Sequence, residues 1–127
     1  MFELTISGEV YQFNFGMGFL RKINKKVNQP VDGLKDVNKD IGLGYMVLLL
    51  IDRDVEALVE VLLASNEGTK RVTQSMLDSY IDNEVEDIEQ LFVEVLDFLR
   101  QANATKKKTI ELMEEAEKAL ADQKAAK

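Results

Sequence analysis

The side chains that most often carry chemistry are absent from this sequence or stand without partners. There is no cysteine and no histidine. Thiolate nucleophiles, disulfide frameworks, zinc sites built from those ligands and imidazole acid–base work are removed together. What remains are carboxylates, glycine pairs and clusters of cations. Asp82-Asn83-Glu84-Val85-Glu86 has the acidic density of a calcium loop. It lacks the central glycine, and the twelfth position counted from Asp82 is Val93, where calcium needs a bidentate glutamate. Gly16-Met17-Gly18 and Gly42-Leu43-Gly44 are bare G-x-G pairs. Neither continues into the Gly-Lys-Ser/Thr of a phosphate loop or the third glycine of a dinucleotide fingerprint. Asp52 and Asp54 lie close in sequence, but helix capping accounts for Asp54. No serine has a histidine to activate it. The expectation is a protein with no catalytic residues, no cofactor and no metal.

Charge narrows the partners. The net charge is −7. Residues 1–103 hold 10 basic and 18 acidic side chains, a net of −8, and residues 104–127 hold 6 and 5, a net of +1. No cation falls between Arg71 and Arg100. Such a surface repels nucleic acid. Arg21, Lys22, Lys25 and Lys26 form a basic cluster with no interleaved aromatics. It reads as a solvated face, or as a contact to an acidic surface such as Asp82, Glu86 and Asp87 of a second copy. No apolar run reaches 18 residues, so no membrane-spanning helix is expected, and MFELTISGEV does not read as a secretory signal.

These residues must be carried by a helical scaffold. Its centre is the stretch from Glu86 to Thr109, where Ile88, Leu91, Phe92, Val95, Leu96 and Leu99 repeat at helical spacing. Val55, Leu58, Val59, Leu62 and Leu63 make a second such stripe, with Asp54 as its cap. Leu58, Leu62, Leu91, Phe92, Val95, Leu96 and Leu99 are therefore candidates for a client-binding or self-association groove. The competing reading is that the same residues are core. Lys106, Lys107 and Lys108 read as a basic end suited to the carbonyl pole of the preceding helix. Tyr45 to Ile51 is apolar all round and is expected to be the most buried helix. Thr73 is positioned to cap a short helix carrying Met76, Leu77, Tyr80 and Ile81 inward.

Residues 2–15 read as a β-hairpin turning at Ser7-Gly8, with Phe2 facing Phe13 and Leu4 facing Tyr11. Its outer edges are expected to be unpaired. Asn28 to Asp40 reads as an irregular loop. After Asn103 the composition turns to Ala, Lys and Glu, with Ile110, Met113, Ala116 and Leu120 as thin apolar content. The expected fold is mainly α: an N-terminal β-hairpin (2–15) packed on a compact helical domain (1–103) with five core helices. A C-terminal helical extension (104–127) projects and frays.

Several segments together resemble the tail assembly chaperones of long-tailed bacteriophages infecting Gram-positive bacteria. They are YQFNFGMGFLRKINKK (11–26), VDGL (31–34), IGLGY (41–45), DVEALVEVLLASN (54–66), VTQSMLDSYID (72–82) and DIEQLFVEVLDFLRQANATKKK (87–108). The resemblance implies a chaperone that binds the tape measure protein and keeps it soluble until tail tube protein polymerises around it. It implies work in the cytoplasm of the infected bacterial host, with no place in the mature virion. It further implies self-association into a ring or spiral, and places this chain with the short form beside a longer frameshifted form. The alternative is a small phage-encoded regulatory or adaptor protein that binds a host target.

Overall fold

A computed structural model describes residues 1–35 and 38–125. The elements in chain order are β1 (Phe2–Ile6), β2 (Glu9–Phe13), α1 (Met17–Asn24), β3 (Asn28–Pro30), β4 (Asn38–Asp40), α2 (Gly42–Ile51), α3 (Val55–Ser65), β5 (Asn66–Glu67), α4 (Gln74–Asn83), α5 (Ile88–Gln101) and α6 (Lys106–Ala125). The chain is mainly helical, with a small N-terminal sheet and a C-terminal helix, as its patterning predicts. Among the described residues no helix is long and apolar enough to cross a membrane.

The hairpin forms in the expected register: Phe2 pairs with Phe13, Leu4 with Tyr11 and Ile6 with Glu9. Ser7 (φ 51°) and Gly8 (φ 81°) both take positive φ. That is the turn whose twist matches the flanking strands. The turn is pinned from outside, because the Ser7 backbone N–H donates to Glu84 Oε1 at 2.8 Å. The inner face sets Phe2 and Phe15 against Phe98 of α5, with the Phe2–Phe98 ring centroids 5.1 Å apart.

One expected free edge of the hairpin is occupied. β5 pairs antiparallel with β2, giving the order β1-β2-β5. The buried Asn66 explains why so short a strand holds. Its Nδ2 donates to the Gln12 carbonyl at 3.0 Å, its Oδ1 accepts from the Val72 N–H at 2.8 Å, and its own carbonyl accepts from Arg71 at 2.6 Å. Asn66→Asp replaces the donor with an anionic oxygen facing a carbonyl. It is expected to cost about 3 kcal/mol, read as a lowered urea midpoint with unchanged slope.

The stretch read as an irregular loop is a second hairpin. β3 pairs with β4, Asn28 opposite Asp40 and Pro30 opposite Asn38. Pro30 is compatible with it because it ends its strand in a two-stranded ribbon, where a missing N–H is cheap. Val37 lies outside the described residues.

The caps expected at Asp54 and Thr73 form, and Asp87 supplies a third. Asp54, Thr73 and Asp87 accept from Ala57, Met76 and Gln90 N–H groups at the starts of α3, α4 and α5. The start of α2 is capped from elsewhere, since Asn24 Oδ1 accepts from the Leu43 N–H at 2.8 Å.

The lysine run does not close α5. That helix ends at Gln101, and Lys106 to Lys108 open α6, at the pole that disfavours cations. The carbonyl end of α5 is met instead by Thr105, whose buried hydroxyl donates to the Leu99 carbonyl at 2.6 Å. From there α6 runs back along α2 and α5. Thr105 and Thr109 are buried and Leu112 packs on the core, while Ile110 faces outward. From Glu117 to Gln123 every side chain is exposed.

Candidate docking surface

The seven apolar residues singled out for a groove come together, but as the centre of the core. Leu58, Leu62, Leu91, Phe92, Val95, Leu96 and Leu99 are each at most 4% exposed. They pack under the hairpin and against α2, whose Val47 and Leu50 are fully buried. Leu96 alone reaches the wall of a cleft, one of about 380 Å³ between α5 and α6 that also touches Val93, Met113 and Leu120.

The charged candidates lie on the surface. Arg21 and Lys22 on α1 and Lys25 and Lys26 just past its end are exposed. Lys26 pairs within the chain with Glu60 at 2.9 Å. Asp82, Glu86 and Asp87 are exposed around the α4–α5 turn, and Asp87 is engaged as the α5 cap. The surface here is strongly negative. The Tyr80 phenol is pushed above its ordinary pKa, by burial first and then by Glu84 and Glu94.

Exposed apolar side chains are scattered over the chain, among them Val10, Met17, Val55, Val93 and Leu120, and two of them lie one turn apart on α2, the helix expected to be most buried. Gly42, Leu43, Met46, Val47 and Leu50 face inward. Tyr45 is 47% exposed and Leu48 is 50% exposed, so one face is uncovered. An all-round apolar helix is fully buried only if neighbours surround it. Here α1, α3, α5 and α6 cover α2 on its other sides. The sequence signal for Tyr45 and Leu48 was present as unbroken hydrophobicity, but it points to burial unless the neighbours are known.

Tyr45 stands between two grooves. One, of about 370 Å³, runs over Leu48 to Leu112 of α6 and is bordered by Lys39 and Lys108. Gly44 also lines it, close to Leu112 and Lys108 of α6. The other, of about 640 Å³, opens between α2, α3 and α4. Leu49, Val55 and Ile81 contribute apolar surface to it, and Glu56, Asp78 and Asp82 line it with carboxylates. Among the described residues no three acidic side chains converge to hold a metal ion. The two grooves set apolar side chains beside charged ones on either side of Tyr45.

Comparison with known proteins adds a family. Residues 3–114 match the family model described as phage tail assembly chaperone protein, TAC. No curated protein matches the chain significantly. No solved structure does either.

Proposed function

This chain belongs to the phage tail assembly chaperone family, and from that premise we propose that it is a non-enzymatic chaperone that binds the tape measure protein through the open face of α2. It holds that client soluble in the cytoplasm of the infected bacterium until tail tube protein assembles, and is left out of the finished virion. The observation that carries the reading is the uncovered strip of Tyr45 and Leu48, with the half-buried Leu49 beside it, on an otherwise enclosed helix. Large apolar side chains left open in that way mark contact surfaces. The acidic excess of the chain keeps such a protein dispersed while the strip is free. Several copies along one long client add weak contacts into firm retention. In this reading Arg21, Lys22 and Lys25, which are exposed, meet acidic side chains of a neighbouring copy. A longer frameshifted form would share this domain.

The test is co-expression with the tape measure protein of the same phage, followed by fractionation and affinity capture. The expected result is a soluble, co-purifying tape measure protein. The doubly substituted Tyr45→Ser/Leu48→Ser chain should keep its circular dichroism melt within a few degrees and lose capture. An insoluble client with both this chain and a longer form would overturn the reading and favour a regulatory adaptor.

A further inference from the structure

We infer that the groove between α2, α3 and α4 is the seat of a cationic amphipathic helix of the client, an inference that rests on the chaperone reading above. Three features of the groove define the occupant. Within a mixed lining it offers one apolar patch, taken as its floor, drawn from three helices: Tyr45 and Leu49 of α2, Val55 of α3 and Ile81 of α4. Burying that floor needs an apolar stripe in the guest. Its walls are of one sign. Glu56, Asp78 and Asp82 are exposed, and among the described residues no cation pairs with them. Glu60 is already paired with Lys26, and Asp54 is engaged as the α3 cap. The free charge in the groove is therefore negative, and Lys or Arg flanking the guest's stripe complements it. Finally, the walls are helices, whose backbone hydrogen bonds are satisfied internally. They offer no strand edge to extend, so recognition falls to side chains, the mode in which an amphipathic helix lies in a groove.

A second copy of this chain fits less well. Its α1 supplies the cations, but Phe19 and Ile23 of that helix are buried in their own core and Leu20 is half-buried, which leaves Met17 as its one exposed apolar side chain. That face brings charge to the walls and little to the floor.

The experiment uses the full chain and two fluorescein-labelled peptides of roughly 20 residues, about six helical turns. Both carry the same leucine stripe, one flanked by lysine and the other by glutamate. Fluorescence anisotropy should show binding of the lysine peptide alone. Asp78→Lys/Asp82→Lys should weaken it at least about tenfold and transfer the preference to the glutamate peptide. Glu114→Lys/Glu115→Lys makes the same change in net charge on the exposed side of α6 and should leave binding intact. If the first pair fails to fold, Asp78→Asn/Asp82→Asn takes its place, with a several-fold loss expected. Equal weakening by both lysine pairs would overturn the inference, since attraction would then follow overall charge. Absence of lysine-peptide binding would overturn it too, as would altered self-association by the groove variant with no peptide effect, which would assign the groove to a second copy. The two readings separate in the co-expression assay. Capture of the tape measure protein unaffected by the groove variant sinks the groove and keeps the chaperone. Groove-dependent peptide binding without capture by the unaltered chain sinks the chaperone and keeps a groove for basic helices.

Discussion

Phe92→Asp is expected to unfold the protein, whereas Val93→Asp, one residue on, leaves it folded. Phe92 is 2% exposed and lies in the core under the α2–α3 turn, with the Arg53 guanidinium 5.7 Å from its ring centroid. Losing the ring alone costs about 3–5 kcal/mol. The carboxylate that replaces it must also be desolvated. Arg53 does not rescue it, because that side chain already holds Glu89 through its Nε, with one oxygen at 2.8 Å, and bonds the Leu50 carbonyl at 3.2 Å. The sum rivals the roughly 5–15 kcal/mol that holds a domain together. Val93 is 43% exposed, and a change there stays within about 1 kcal/mol. Thermal melts of the two variants decide the matter. A cooperative Phe92→Asp melt near that of the parent would mean that the α5 stripe is a surface and not the core.

Gly42→Ala is the smallest substitution expected to do comparable damage. An added Cβ would stand 1.7 Å from the Ile23 carbonyl oxygen, and 2.8 Å from the Asn24 Cα. Both obstacles are backbone, so no side chain can swing aside. The first turn of α2 must move off the end of α1, breaking the Asn24 cap on the Leu43 N–H. Overpacking of this kind costs on the order of 3 kcal/mol. An alanine in a helix otherwise helps by about 1 kcal/mol, so sign as well as size is at stake. A urea titration showing a raised midpoint would mean that the two helix ends do not meet this closely.

The parts of this fold that were legible in the sequence are those governed by neighbours in the chain. The hairpin register follows from alternation and a two-residue turn, and the caps Asp54 and Thr73 follow from residue type and position. Features governed by distant partners were not legible. β5 is only two residues long and depends on Asn66 reaching Gln12 and Val72, which no local pattern announces. The β3–β4 ribbon has no apolar alternation, because all six of its residues are exposed. Lys106 to Lys108 follow a helix closely enough to pass for its end, until Thr105 is seen to close it. The open face of α2 is hidden from the sequence for a related reason. Hydrophobicity reports what a residue would gain by burial, and only the packing tells whether Tyr45 and Leu48 receive it.

The exposed second half of α6 also acts as a spacer. A helix advances about 1.5 Å per residue, so Ala121 to Ala125, beyond the Leu120 that still borders the α5–α6 cleft, adds a rod of roughly 7 Å. Anything joined beyond it is carried away from the domain on a stiff arm, where an attached label or reporter has room to turn. Met1 offers no such stand-off, because Phe2 next to it is already locked among the aromatic rings of the core.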